Sequence, residues 1–139
     1  MVVGADRLGG STTKLNDSRV TPLGGFLRRT KLDELPQLLN VLKGEMSMVG
    51  PRPEMEEYTR LYTENEKEIL AVRPGITDYA SLQYFNLAAE VGSGDADAVY
   101  KEKVLAEKNR LRVRYVRERS FLVDMKIIAA TVRTLVGGR

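Results

Sequence analysis

Four leucines, Leu35, Leu38, Leu39 and Leu42, recur at i, i+3, i+4 and i+7, which predicts an amphipathic helix with one apolar stripe. Pro36 belongs in its first turn, where a missing N–H is harmless. That puts Asp33 at or near the N-cap and Glu34 just inside, with Gly44 closing the other end. A second stripe, Phe121, Met125, Ile128, Val132 and Leu135, follows the capping residue Ser120 and predicts a C-terminal helix. The segment 98–116 also reads as helix, although Arg110 to Val116 alternates with the period of a strand.

The segments between are of a different kind. Pro22 and the Gly24-Gly25 pair argue against a regular helix before Phe26. "MSMVGPRPE" is expected to be extended, and Pro53 disfavours helical backbone at Arg52. Glu54 to Leu70 reads as a polar helical stretch with Met55, Tyr58, Leu61, Tyr62 and Ile69 turned inward. Pro74-Gly75 marks a turn before a short strand or hairpin, and residues 92–95 mark a loop. The expected fold is α+β, predominantly α-helical with a minor short-strand or hairpin element. It forms a single compact domain over residues 19–139, packed around the leucine stripe, after a flexible N-terminal arm over residues 1–18.

The chain has 139 residues, of which 42% are hydrophobic, enough for one cored domain. It contains no Cys and no His. That excludes disulfides, thiolate zinc sites and Ser-His or Cys-His catalysis within the chain. Any metal site must be built from oxygen donors, which favours Mg²⁺ or Mn²⁺. The formal charge of +3 does not demand nucleic acid. Its distribution says more: Lys101 to Arg119 holds eight Lys or Arg against three Glu. This is either a solvated helix face or a surface for phosphates and anionic headgroups. No apolar run reaches the ~18–20 residues needed to cross a bilayer, and there is no signal-peptide pattern, so the chain taken alone reads as soluble and cytosolic.

Three features offer chemistry. The plainest role for Asp33 and Glu34 is to complement the partial positive charge of a helix start. Arg52, locked between Pro51 and Pro53, suits a guanidinium that meets an oxyanion in a fixed pose. Asp124 lies beside an apolar stripe and needs a partner, an arginine being the expected one. Together they suggest phosphate chemistry. Adjacent carboxylates can hold a hard cation, and an ionised aspartate can attack phosphorus without a general base. No Walker A motif or glycine-rich nucleotide fingerprint is present.

"DSRVTPLGGFLRRTKLDELPQLLNVLKGEMSMVGPRPE", then "RPGIT" and "YVRERSFLVDMKII", resembles the bacterial sugar transferase family, the monotopic phosphoglycosyl transferases or undecaprenyl-phosphate sugar phosphotransferases. The resemblance runs from about residue 16 to about residue 136. It implies transfer of a sugar-1-phosphate from a nucleotide diphosphate sugar, with a UDP-sugar the expected donor, to polyprenyl phosphate. The setting implied is the cytoplasmic face of the bacterial inner membrane, at the start of O-antigen, capsule or exopolysaccharide synthesis. By resemblance Asp33 is the nucleophile of a two-step, Mg²⁺-dependent reaction, Glu34 helps bind Mg²⁺ with Asp33, Arg28 and Arg52 neutralise phosphate, and Asp124 supports the site. Family members begin with a hydrophobic re-entrant helix and a basic segment that this chain lacks, so an N-terminally truncated domain is expected. Its uncovered apolar surface would favour self-association. After "RPGIT" the chain departs from the commoner "GWAQVNGR", which leaves the sugar unassigned. The rival reading is a binding module that keeps affinity for phosphate or a membrane surface without turnover.

Overall fold

The computed structural model describes residues 1–5, 12–13, 17–30, 32–88 and 95–137. The expected loop at 92–95 and part of the expected arm, residues 6–11 and 14–16, lie outside these, Asp95 excepted. Helix α1 (Pro22–Arg29) leads into a 3₁₀ turn (Leu32–Glu34), helix α2 (Gln37–Leu42) and strand β1 (Ser47–Val49). After the Pro-Arg-Pro turn come the short helix α3 (Glu56–Thr59), a 3₁₀ segment (Glu66–Ala71), strand β2 (Gly75–Thr77) and helix α4 (Tyr79–Gln83). Helix α5 (Ala96–Val99) and a π-turn (Tyr100–Val104) run into α6 (Leu105–Glu118), and α7 (Phe121–Val136) completes the described chain. The fold is thus helical with a minor two-stranded element, as the sequence predicts, but the strands pair in parallel rather than as a hairpin.

Helix α6 is the spine. Its Leu105 packs with Tyr58, Ala96, Tyr100 and Val104; its Val113 packs with Tyr62 and Ile69; its Tyr115 packs with Val49 and Ile127. The expected centre, the α2 leucine stripe, is instead exposed: Leu39 is 60% and Leu42 83% accessible. The stripe forms as a helix face should, but among the described residues no element covers it. Helix α7 departs in the same way. Ser120 caps it, its Oγ accepting from the Val123 N–H at 3.3 Å, yet Phe121, Met125, Val132 and Leu135 are exposed while Ile127 is buried. A helix apolar on nearly every side does not reveal its buried face by periodicity. Met55 and Leu61 are likewise exposed, while Tyr58, Tyr62 and Ile69 are buried as predicted.

Two local expectations also change. Pro22 begins α1 instead of forbidding it, since a proline at the first position sacrifices no helical hydrogen bond. Thr21 caps that helix, accepting from the Gly24 N–H at 3.1 Å. The basic stretch is not one solvated face. Arg112 is fully buried, and Arg110, Arg114 and Arg117 pair with Glu107, Glu118 and Glu68.

The strands are short, and their contact is set by glycine. Ser47 pairs with Gly75 and Val49 with Thr77. A Cβ on Gly75 would lie 2.1 Å from the Gly50 N, and one on Gly50 would lie 2.8 Å from the Arg73 carbonyl. These are backbone atoms that cannot rotate away. Gly75 N–H donates to the Pro51 carbonyl at 3.0 Å, so the approach also fixes the start of the Pro-Arg-Pro turn. Gly75→Ala is therefore expected to destabilise the protein by about 3–5 kcal/mol. In a thermal melt that is a fall of about 10 °C or more; a melting temperature within 2–3 °C of wild type would contradict the close packing.

Candidate active site

The 3₁₀ turn before α2 carries Asp33 and Glu34. Pro36, not Asp33, occupies the N-cap of α2, so the acids stand one turn earlier than expected. The Pro-Arg-Pro turn faces them. Arg52 donates through Nη1 to Glu34 Oε2 at 2.7 Å and to the Ile76 carbonyl at 2.7 Å. Its backbone N–H reaches Asp78 Oδ2 at 3.4 Å. Both ends of Arg52 are thus tied to β2 and the Asp78 that follows it, and its guanidinium spans from there to Glu34. Both partners are about a quarter exposed, so the pair is accessible without being free in solvent.

Arg28, Asp33, Glu34 and Arg52 line one cleft of about 790 Å³. Arg28 donates from Nη1 to Thr13 Oγ1 at 3.2 Å. Four of the five predicted site residues therefore meet. Asp124 does not line this cleft. The Tyr115 hydroxyl lies 2.9 Å from Asp124 Oδ1 and 3.1 Å from the Val49 carbonyl. The partner Asp124 required is thus a tyrosine rather than an arginine. Its role in the geometry is to hold Tyr115 against β1, just before the Pro-Arg-Pro turn.

The sequence reading missed a second cluster, formed where α6 closes the cleft. Glu54, the residue after Pro53, is its hub. Arg112 Nη1 lies 3.0 Å and Lys108 Nζ 3.6 Å from Glu54 Oε2, and the Tyr100 hydroxyl donates to that oxygen at 2.5 Å. Arg112 Nε approaches the fully buried Asp78 Oδ2 at 3.6 Å, while Asp78 Oδ1 caps α4 by accepting from the Ser81 N–H at 2.6 Å. Burial alone would raise the Glu54 carboxyl. Lys108, Tyr100 and Arg112 outweigh it and hold Glu54 below the usual carboxylate range. Burial pushes the Tyr100 phenol upward, and Glu54 pushes it further. A signal for the cluster existed: Leu105, Lys108, Asn109, Arg112 and Tyr115 follow i, i+3, i+4, i+7 and i+10. Cations on an otherwise inward face were hidden by their neighbours in the basic run.

The described lining interleaves four cationic side chains (Arg28, Arg52, Lys108, Arg112) with three acidic ones (Asp33, Glu34, Glu54). Leu35, Leu38 and Leu135 add an aliphatic wall. A cleft of this size and charge pattern is suited to a small molecule bearing phosphate, with an apolar portion alongside. The sequence model of the family described as bacterial sugar transferase matches residues 1–138. The chain belongs to that family. It is 41% identical over 121 residues to a protein of Bacillus subtilis (strain 168) named uncharacterized sugar transferase EpsL, covering 87% of this chain and 52% of the relative. It is 39% identical over 120 residues to the UDP-glucose:undecaprenyl-phosphate glucose-1-phosphate transferase of Escherichia coli (strain K12), covering 84% and 24%. It is 36% identical over 133 residues to the undecaprenyl-phosphate glucose phosphotransferase of Komagataeibacter xylinus, covering 91% and 23%. The chain therefore spans about half the length of the first relative and about a quarter of the other two. Among the described residues no helix is long and apolar enough to cross a membrane.

Removing Arg112 leaves Glu54 and Asp78 buried without their shared cation. Arg112→Leu is expected to cost about 3–5 kcal/mol in denaturant unfolding; a change under about 1 kcal/mol would show that the pairs are not what holds α6 to the turn. The Glu54 carboxyl is lower in the folded state than in the unfolded chain. Its contribution is therefore present above the unfolded value of about 4.3 and is lost as pH falls through the lower folded value. Glu54→Gln should flatten that acid limb of the stability profile; an unchanged limb would remove Glu54 from the account.

Proposed function

We propose that this chain is the catalytic portion of a phosphoglycosyl transferase, moving a sugar-1-phosphate from a nucleotide diphosphate sugar to polyprenyl phosphate. The observation that carries the reading is the meeting of Asp33 and Glu34 with Arg52 in a cleft that also takes Arg28. The names of the Escherichia coli and Komagataeibacter xylinus relatives support the substrate classes, and the first of them supports a UDP-sugar donor.

Asp33 is exposed at the cleft while Glu34 is held by Arg52, so the two acids are differentiated by their surroundings. In the proposed reaction an Asp33 carboxylate oxygen attacks the sugar-bearing phosphorus. The bond from that phosphorus to the bridging oxygen breaks, and nucleoside monophosphate leaves with the bond's electron pair. An oxygen of polyprenyl phosphate then attacks the phosphoryl-aspartate, forms the diphosphate-linked lipid sugar and returns the Asp33 carboxylate. Arg52 and Arg28 stabilise charge on the phosphate oxygens. Arg52 reaches that role preorganised, because Ile76 and Asp78 hold it before substrate arrives.

The residues present also fit a divalent cation. Among the described residues no group of three metal-ligating side chains occurs. Mg²⁺ is commonly held by one or two carboxylates together with substrate phosphates, and Asp33 and Glu34 supply that pair. The ion would offset the like charge between a carboxylate and the diphosphate it attacks. Exposed leucines on α2, and exposed Val132, Leu135 and Val136 on α7, support placement against the membrane surface where the lipid acceptor lies.

With UDP-glucose, a polyprenyl phosphate and Mg²⁺, release of UMP is the direct assay. Asp33→Asn is expected to lower release by about 10³-fold or more. Undiminished release by this variant would remove Asp33 from the chemistry, and no release by wild type would favour the alternative of a binding module.

A further inference from the structure

Beside its charged side chains and its aliphatic wall, the cleft carries a set of neutral hydroxyls: Thr77 on β2, Ser81 on α4 and Thr131 on α7. These three elements pack against one another, so the hydroxyls belong to one wall.

Their protons are placed by their partners. Thr131 donates to the Ile127 carbonyl, one turn earlier on α7, at 2.8 Å. Its oxygen also lies 2.8 Å from Thr77 Oγ1. A hydroxyl has one proton and two lone pairs. With the Thr131 proton on Ile127, the Thr77 proton goes to Thr131, and Thr77 Oγ1 is left as an acceptor. Ser81 differs. Its backbone N–H donates to Asp78 Oδ1 at 2.6 Å, while its hydroxyl has no partner among the described residues. The wall therefore presents acceptor lone pairs at Thr77 and a hydroxyl at Ser81 that can both donate and accept, and none of these groups is charged.

That chemistry distinguishes the parts of the proposed substrates. Phosphate oxygens have no proton to offer the Thr77 lone pairs, and Arg28 and Arg52 serve them elsewhere in the cleft. A prenyl chain has no polar group at all. A sugar ring carries several hydroxyls, each a donor and an acceptor. The place agrees as well. Thr77 follows Ile76, whose carbonyl accepts from Arg52 Nη1 at 2.7 Å. In the proposed reaction Arg52 faces the sugar-bearing phosphorus, and one oxygen joins the sugar to that phosphorus. Resting on the transferase reading above, we propose that Thr77, Ser81 and Thr131 bind hydroxyls of the transferred sugar, and so are specificity-determining residues separate from the Asp33–Glu34–Arg52 group.

Isothermal titration calorimetry with UDP-glucose and with UDP, which lacks the sugar, tests this. An Asp33→Asn background keeps the phosphorus–oxygen bond of the donor intact during the titration. Ser81→Ala removes a hydroxyl that holds nothing else among the described residues, and Thr131→Val keeps a similar shape. Each should weaken UDP-glucose about fivefold and leave UDP within about twofold of the background. Thr131→Ser keeps the hydroxyl and should retain the affinity for UDP-glucose. Equal weakening of UDP-glucose and UDP would place the contact on the nucleotide or in the fold, and would overturn the sugar assignment. UDP-glucose binding that neither Ser81→Ala nor Thr131→Val changes would overturn it too, with the transferase reading left standing. Absence of binding of both nucleotides by the background protein would overturn both readings.

Discussion

The approach of Gly50 to Gly75 is the constraint on which the rest of the site depends. With no side chain on either residue, two backbones meet at a distance no other pair of residues could reach. The consequence propagates in both directions. On one side it fixes Pro51, and with it the turn that holds Arg52 and Glu54. On the other it fixes β2, whose Ile76 carbonyl and following Asp78 accept from the Arg52 side chain and backbone. Arg52 is therefore aimed by a local steric condition, and Glu34 is aimed by Arg52. Helix α6 then locks the arrangement from behind, with Arg112 bridging Glu54 and Asp78 across the same turn. A network of this kind is stable only when each buried charge finds its partner.

The site follows from this division of labour. Of the side chains proposed to touch substrate, Asp33, Glu34 and Arg52 stand on turns beside proline-stiffened or glycine-tight backbone and Arg28 lies in helix α1, while the longer helices supply the wall and the counter-charges. Tyr115, bonded to both Asp124 and the Val49 carbonyl, adds a second brace on β1. This explains how a chain without histidine or cysteine presents a cleft of defined geometry. The family membership and the charge pattern of the cleft both support the proposed phosphate chemistry.

How much of this was legible in the sequence differs from element to element. The Pro-Arg-Pro turn, the Pro-Gly start of β2, the Gly44 helix end and the Ser120 cap were legible, because each depends on backbone chemistry specific to a residue type. Asp33, Glu34, Arg28 and Arg52 could be nominated, and they do line one cleft. The burial of the helices could not be read. The α2 stripe is periodic yet exposed, and α7 is apolar on too many sides for its pattern to choose one. Arg112 and Lys108 were concealed for a different reason: a run of basic residues reads as solvated, and only tertiary contact with Glu54, 54 positions or more upstream, shows which of its members turn inward.

The central claim is a covalent step at Asp33, and the most direct measurement is mass spectrometry of the protein incubated with UDP-glucose and Mg²⁺ without lipid acceptor, quenched and digested with trypsin under acid-protecting conditions. The account predicts a hexose-phosphate adduct on the peptide Leu32–Lys43, located to Asp33, formed together with UMP and discharged on adding polyprenyl phosphate. Release of one equivalent of UMP with that peptide unmodified, or an adduct on another residue, would contradict it.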